Sequence, residues 1–179
     1  MSEQFDLRFG GTKRLYGNEA VEKLASSHVC VVGIGGVGSW AAEALARSCV
    51  GEITLIDLDD ICTTNINRQI HALTDTVGQS KVEVMAQRVR GINPDCKINE
   101  VEDFVDANNL SELITKEMDY VIDAIDSIKA KVALIAYCKR YKIKIITVGG
   151  AGGQQDPTQV QIADLAKTVQ DPLAAKVRS

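Results

Sequence analysis

The 179-residue sequence lacks any hydrophobic run near the roughly 20 residues that span a bilayer. Its first residues have neither the basic start nor the apolar stretch of a secretory signal. The five cysteines are widely spaced and form no CxxC pair, which disfavours a zinc site built from this segment. The chain also lacks an excess of basic residues: its net charge is −4, whereas a dedicated nucleic-acid-binding domain is usually basic. We therefore expect a cytoplasmic globular protein with no membrane contact from this segment.

Apolar strands alternate with amphipathic helices along most of the chain. The hydrophobic pattern predicts strands at residues 28–32, 52–57, 96–101, 120–125 and 143–148. It predicts helices, the first capped by Asn18, at residues 18–26, 36–48, 78–92, 107–115 and 127–141. Strands separated by helices of this length predict an α/β fold with a doubly wound, mainly parallel Rossmann-like sheet and helices on both faces.

The two ends of the chain carry weaker patterns. We expect residues 1–27 to form a helical lead-in. Residues 158–163 alternate between polar and apolar types, which predicts a half-buried or edge strand. Asp171 and Pro172 open a further helix that reaches Ser179 after two turns. We therefore expect residues 1–179 to form one domain, shortened at its carboxyl end within a larger protein.

A glycine-rich sequence, GIGGVG at residues 33–38, follows the first predicted strand and opens a helix. In such a unit Gly33 permits a tight turn, Gly35 lets the backbone approach phosphate, and Gly38 lets the helix pack close to the strand. Asp57 ends the second strand, where an acid accepts hydrogen bonds from a ribose. The pattern predicts a nucleotide site, but it does not separate NAD from ATP, because both contain the adenosine ribose.

The loop beyond the second strand carries side chains suited to phosphate. Arg68 presents a fork of donors that fits phosphate oxygens, and Asn65 and Asn67 can donate to the same oxygens. The alternative is a surface arginine paired with Asp60 or Asp75. Taken with the residues that follow, Arg68 favours a triphosphate over a dinucleotide.

Lys81 and Asp126 complete the predicted site. Lys81 begins a helix and is placed to reach the β- or γ-phosphate, although a lone lysine usually faces solvent. Asp126 ends the fourth predicted strand and is a candidate Mg²⁺ ligand, since Mg²⁺ takes one or two carboxylates plus phosphates. Asp123 is an alternative with a structural role, and Asp59 either assists the nucleotide or shapes the loop.

The set of cations and carboxylate predicts the reaction class. No GxxxxGK[ST] sequence occurs, so the chain is not a P-loop ATPase. A Rossmann-type cradle with Arg68 and Lys81 suits attack at the α-phosphate with pyrophosphate leaving, because both cations stabilise the developing charge. The product would be an acyl-adenylate.

These motifs resemble the ATP site of the ubiquitin-activating-enzyme superfamily, which includes the bacterial adenylyltransferases of molybdopterin and thiamine synthesis. The motifs are residues 33–38, 57–59, 64–69, 78–81 and 123–126. A closer resemblance, to the tRNA threonylcarbamoyladenosine dehydratase branch of that superfamily, is carried by residues 8–12, 14–17, 67–73, 149–154 and 156–159.

The resemblance implies ATP-dependent dehydration of threonylcarbamoyladenosine in tRNA, by cyclisation through an acyl-adenylate. It implies ATP and Mg²⁺ as cofactors and tRNA carrying threonylcarbamoyladenosine as substrate. It also implies a homodimer and suggests a cysteine-desulfurase sulfur-transfer system as a further partner. An arginine near the amino terminus, Arg14 or Arg8, would reach the ATP of the other subunit.

The same resemblance assigns roles by motif. Asp57 would hold the ribose, and Ser127 would lie beside the adenine or the metal. The implied nucleotide-binding residues are Gly33, Gly35, Gly36, Gly38, Asp57, Asp59, Asn65, Asn67, Arg68, Lys81, Asp126 and Ser127. The implied catalytic residues are Arg68, Lys81, Asp126 and Arg14, with Asp126 as the Mg²⁺ ligand.

Three other functions remain open at this point. A relative in the same superfamily would adenylate the C-terminus of a ubiquitin-like sulfur-carrier protein. An NAD-dependent oxidoreductase would use the glycines and Asp57 alone. A non-catalytic scaffold or dimerisation domain would keep the fold without needing Arg68.

Overall fold

Five parallel strands form one sheet in the computed structural model, which describes residues 3–179, and their order is β3-β2-β1-β4-β5. The strands are β1 His28–Val32, β2 Glu52–Ile56, β3 Lys97–Val101, β4 Tyr120–Asp123 and β5 Ile145–Thr147. The predicted α/β fold with a doubly wound parallel sheet is confirmed. The strand order reverses between β1 and β4, so a crevice opens beyond their carboxyl ends, where such sheets bind ligands.

Seven helices are present among the described residues. They are α1 Glu3–Tyr16, α2 Asn18–Ala25, α3 Gly38–Arg47, α4 Lys81–Ile92, α5 Leu110–Leu113, α6 Ile128–Tyr141 and α7 Pro172–Arg178. Short 3-10 turns lie at Thr63–Asn65, Pro157–Gln159 and Leu165–Lys167. Among residues 3–179, none of the helices has the length and apolar character needed to traverse a bilayer.

Both faces of the central strands β1 and β2 are buried, which explains their nearly continuous apolar sequence. Along β1, Val31 packs toward α3 and α4, whereas Cys30 and Val32 pack toward α5 and α6. Successive side chains of a strand point to opposite faces, so one apolar strand serves two core layers. The central strands are thereby fixed in register, and their carboxyl ends form a rigid rim for the site.

The predicted N-cap at Asn18 is wrong. The first residue of α2 is Asn18, and the residue before it is Gly17, which has φ 85° and makes no side-chain cap. Only glycine takes this left-handed conformation without strain, so Gly17 sets the break between α1 and α2. Asn18 is therefore the first helical residue and does not cap the helix.

The predicted strand at residues 158–163 is also wrong. Pro157–Gln159 forms a 3-10 turn, and the Asp156 side chain accepts a hydrogen bond from the Thr158 amide at 3.0 Å. Val160 and Ile162 are exposed, and within residues 3–179 this segment pairs with no strand. Alternation of residue types does not make a strand where no neighbouring edge supplies hydrogen bonds.

Candidate nucleotide-binding site

The turn between β1 and α3 requires glycine at two positions. Gly33 has φ 89°, and a Cβ there would lie 2.9 Å from the carbonyl oxygen of Ala124. A Cβ on Gly38 would lie 1.7 Å from the carbonyl oxygen of Gly33. Helix α3 therefore begins directly against the turn, with the Ser39 amide donating to the Gly35 carbonyl oxygen at 3.1 Å, and the positive end of its dipole lies at the turn.

The middle of this turn is open to a ligand. A Cβ on Gly35 would meet nothing closer than the Gln69 Nε2 at 3.8 Å. On Gly36 the nearest atoms are Cγ and Cδ of Arg68, at 3.4 Å. The turn thus presents backbone rather than side chains, which is the surface that a phosphate approaches most closely. We refer to residues 33–38 as the glycine cradle.

Arg68 lies on the cradle with its charge uncompensated. Its Nη1 donates to the Thr64 carbonyl oxygen at 2.9 Å and to the Asn67 Oδ1 at 3.1 Å. The indole Nε1 of Trp40, on α3, donates to the Arg68 carbonyl oxygen at 2.9 Å. All of these partners are neutral, so the full positive charge is available to an anion in the cradle.

The alternative pairings of Arg68 with Asp60 or Asp75 are not made. Among the ion pairs of residues 3–179, none includes the Arg68 guanidinium. Asn67 is exposed and supports Arg68 directly. Asn65 is buried, and its Oδ1 accepts from the Cys62 amide at 2.9 Å, so it shapes the loop that carries Arg68.

Lys81 is buried beside two carboxylates. Its Nζ lies 2.7 Å from the Asp59 Oδ2 and 3.8 Å from the Asp57 Oδ1. As the first residue of α4, Lys81 places a cation at the positive end of the helix dipole, which opposes helix stability. The two carboxylates offset this cost, and the ammonium group is thereby held next to the cradle.

Asp57 connects the end of β2 to the cradle. Its Oδ2 accepts from the Ile34 amide at 2.6 Å, and its Oδ1 accepts from the Asp59 amide at 2.9 Å. Both carboxylate oxygens are therefore engaged by backbone, although each keeps a further lone pair. The side chain is mostly buried, so a ligand would meet only its outer edge.

Asp126 lies beyond β4 rather than at its end. The strand stops at Asp123, and residues 124–127 form the loop to α6, which corrects the predicted boundary. The backbone of this loop lies against Gly33: a Cβ there would be 2.9 Å from the Ala124 carbonyl oxygen and 3.3 Å from the Ile125 amide nitrogen. Asp126 follows on the rim of the crevice and is exposed, as is Ser127.

The Asp126 carboxylate fits a Mg²⁺ ion that is shared with a phosphate. Within residues 3–179, Asp126 takes part in no ion pair, and no three acidic, histidine or cysteine side chains gather as a metal site. Mg²⁺ is commonly bound by one or two carboxylates with the remaining positions filled by phosphate and water. A single free carboxylate beside the cradle satisfies that pattern.

Neither amino-terminal arginine reaches the cradle of its own chain. Arg14 lies along α1, and its Nη1 is 3.5 Å from the point where a Cβ on Gly10 would lie. The Arg8 Nη1 donates to the Ile92 carbonyl oxygen, at the far end of α4 from Lys81, at 3.4 Å. A contribution of either arginine across a subunit boundary remains a prediction.

Sequence reasoning missed two buried polar residues of the site. Gln69 and His71 are almost fully buried, and Gln69 Oε1 and His71 Nδ1 have no hydrogen-bond partner among residues 3–179. His71 Nε2 lies 3.0 Å from the Ile34 carbonyl oxygen and donates to it, which braces the cradle. Burial lowers the pKa of His71, so the ring is neutral at physiological pH. The signal available in the sequence was polar side chains within an otherwise apolar segment.

The chain belongs to the ThiF family, whose sequence profile matches residues 11–173. It is 62% identical over 178 residues to the tRNA threonylcarbamoyladenosine dehydratase of Escherichia coli, covering 99% of this chain and 66% of that protein. It is 46% identical over 172 residues to the enzyme of the same name from Bacillus subtilis, covering 96% of this chain and 68% of that protein. The chain thus spans about two thirds of the length of these curated relatives.

The fold agrees with a solved relative. The crystal structure of the E. coli tRNA N6-threonylcarbamoyladenosine dehydratase in complex with ATP superposes with a TM-score of 0.98 at 63% identity. The match covers 99% of this chain and 73% of that one. More distant relatives include the E. coli molybdopterin-synthase adenylyltransferase, 35% identical over 149 residues, which covers 82% of this chain and 59% of that protein.

Proposed function

We propose that this chain is the ATP-binding part of a tRNA threonylcarbamoyladenosine dehydratase. It uses ATP to activate the carboxylate of threonylcarbamoyladenosine in tRNA as an acyl-adenylate, and the ring then closes. The observation that carries this proposal is the Arg68 guanidinium, which lies against Gly36 of the cradle with only neutral partners. The high identity to proteins named tRNA threonylcarbamoyladenosine dehydratase supports this substrate.

The chemistry balances as two transfers. An oxygen of the substrate carboxylate attacks the α-phosphorus of ATP, and pyrophosphate leaves. An internal nucleophile of the threonylcarbamoyl group then attacks the activated carbonyl carbon, and AMP leaves with one of the original carboxylate oxygens. The nucleoside thereby loses the elements of one water. Without activation the leaving group would be hydroxide, which leaves much less readily than AMP.

The chain's residues supply binding and charge for the first transfer. The cradle amides receive phosphate oxygens, while Arg68 and Lys81 stabilise the negative charge that grows as pyrophosphate departs. Asp126 binds the Mg²⁺ that accompanies ATP, which neutralises phosphate charge. Asp57 receives the ribose at its outer edge, and Asp59 orients Lys81.

The remaining predicted residues support this arrangement. Asn65 shapes the loop, Asn67 and Arg68 bind phosphate together, and Ser127 lies beside the metal or the adenine. We further propose a cytoplasmic homodimer in which Arg14 or Arg8 reaches the partner's ATP, with a cysteine-desulfurase system as a further partner. Residues 1–179 are then one ATP-binding domain of the enzyme.

Pyrophosphate exchange into ATP tests the proposed substrate. The full-length protein is incubated with labelled pyrophosphate, ATP–Mg²⁺ and either modified tRNA or a ubiquitin-like sulfur-carrier protein. We expect exchange only with tRNA that carries threonylcarbamoyladenosine. Pyrophosphate can re-form ATP only from an acyl-adenylate, and that intermediate requires the carboxylate. Exchange with the carrier protein instead would identify a sulfur-carrier adenylyltransferase. Tight NADH binding with no response to ATP–Mg²⁺ would identify an oxidoreductase.

Replacing Lys81 with methionine is expected to slow this exchange by about 10²-fold, because one charge-stabilising donor is lost. Methionine keeps the length of the side chain, and Asp59 can turn to solvent. The matched control is Lys97→Met, which removes an exposed lysine of β3 that also pairs with a carboxylate, Glu52. Equal rates for the two variants would remove Lys81 from the site.

A further inference from the structure

Lys131 and Asp123 form an ion pair that is buried on both sides. The Lys131 Nζ lies 2.9 Å from the Asp123 Oδ1, and the two side chains are 1% and 0% exposed. Removing two charges from water is costly, and apolar residues of the same volume are often as stabilising as a buried pair. A contribution to stability therefore does not explain why this pair is present. Its position in the fold suggests a different role.

The pair joins three elements at the carboxyl edge of the sheet. Asp123 ends β4, and its Oδ2 accepts from the Thr147 hydroxyl of β5 at 2.6 Å. Lys131 comes from the first turn of α6, and its Nζ also donates to the Val148 carbonyl oxygen at 3.1 Å. The Val148 amide in turn donates to the Asp123 carbonyl oxygen at 2.9 Å. The ends of β4, β5 and α6 are thus held by one network.

The same network fixes the short loop that carries Asp126. Within that loop, the Ile125 amide donates to the Asp123 Oδ1 at 3.1 Å. At its far end, the Lys131 amide donates to the Ser127 carbonyl oxygen at 2.9 Å. The Asp123 carboxylate therefore holds the loop directly before Asp126, and α6, whose first turn Lys131 joins to β4 and β5, begins directly after it. The Asp126 carboxylate itself is exposed and joins no ion pair within residues 3–179.

We propose that Asp123 and Lys131 are positioning residues that hold the Asp126 loop in the conformation that binds the Mg²⁺ of ATP. This inference rests on the proposed function. The Lys131 ammonium is buried, pairs with the Asp123 carboxylate and donates to the Val148 carbonyl oxygen. It therefore acts through the position of Asp126 and does not contact the nucleotide. Residues that orient a metal ligand typically change metal affinity by about 10–100-fold when they are removed.

The test measures how much Mg²⁺ tightens ATP binding. The variant carries Asp123→Asn and Lys131→Met together, because removing both charges leaves no unpaired charge in the core. We expect its unfolding temperature to stay close to that of the parent chain. Titration calorimetry should show about 10–100-fold weaker ATP binding in the presence of Mg²⁺, with ATP binding in EDTA and AMP binding unchanged.

Two further variants test whether the loss of the Mg²⁺ effect comes from the Asp126 loop. Lys129→Met removes an exposed lysine of the same helix and is expected to leave the Mg²⁺ effect intact. Asp126→Asn should lose the Mg²⁺ effect, and adding it to the double variant should cause no further loss, because both changes remove one interaction. Additive losses would show that the pair acts elsewhere, which overturns the inference.

The failure of this inference is distinct from the failure of the proposed function. If the parent chain binds no ATP with Mg²⁺, the proposed function falls, and this inference falls with it. If Mg²⁺ tightens ATP binding equally in the parent chain and the double variant, only the positioning role is overturned. Should the double variant not fold, Thr147→Val applies the same test with both charges retained, and an unchanged Mg²⁺ effect there overturns the inference.

Discussion

Arg68→Ala is expected to slow pyrophosphate exchange by about 10²–10³-fold and to change the free energy of unfolding very little. In the folded chain the guanidinium contacts only neutral oxygens of its own loop, from Thr64 and Asn67, so its removal strands no buried charge. Its side chain lies against Gly36, with Cγ and Cδ 3.4 Å from where a Cβ on that glycine would lie, so the cation is placed beside the cradle. The loss should therefore appear in the rate of adenylation rather than in stability.

Two variants control this measurement. Arg68→Lys keeps the charge but loses the planar fork of donors, so we expect an intermediate rate. Arg140→Ala removes an exposed arginine at the end of α6, far from the cradle, and should leave the rate unchanged. An unchanged exchange rate for Arg68→Ala would remove Arg68 from the adenylation site, and no exchange in the parent chain itself would favour the non-catalytic scaffold.

Gly38→Ala is expected to abolish nucleotide binding and to destabilise the fold by about 1–3 kcal/mol or more. The added Cβ would lie 1.7 Å from the Gly33 carbonyl oxygen, and no side-chain rotation can separate the two atoms, because the backbone fixes the position of both. Helix α3 must therefore shift away from β1, and the cradle amides move with it. Chemical denaturation and ATP titration measure the two effects.

The control for this variant is another glycine of a helix. A Cβ on Gly91, in α4, would meet nothing within 4 Å. Gly91→Ala should stabilise the chain by about 0.5–1 kcal/mol, because alanine loses less backbone freedom than glycine in a helix. If Gly38→Ala and Gly91→Ala had the same effect, the close approach at the cradle would not limit the fold.

The centre of the sheet was predictable because its strands are buried on both faces. Strands such as β1 and β2 are short apolar runs set between glycines and helices, and this pattern defines their place without tertiary information. The strand predicted at residues 158–163 failed because alternation says nothing about whether a partner edge is near. Helix α5 is shorter than the predicted 107–115, since only residues 110–113 complete helical turns.

The candidate site was predictable only in part. Motif spacing brought the glycines, Arg68 and Lys81 to one edge of the sheet, because parallel strands place their carboxyl ends together. It could not show that Lys81 is held by Asp59, since that contact spans 22 residues. Lys131 was missed for a similar reason: its burial depends on where β4 and β5 end, which the helical pattern of α6 does not record.

The most direct test of the central claim follows one oxygen atom. Modified tRNA is prepared with ¹⁸O in both carboxylate oxygens of its threonylcarbamoyl group and incubated with the full-length protein and ATP–Mg²⁺. Adenylation predicts AMP that contains one ¹⁸O atom, together with pyrophosphate and a nucleoside lighter by the labelled water. Release of ADP, or of AMP without the label, would contradict carboxylate attack at the α-phosphate.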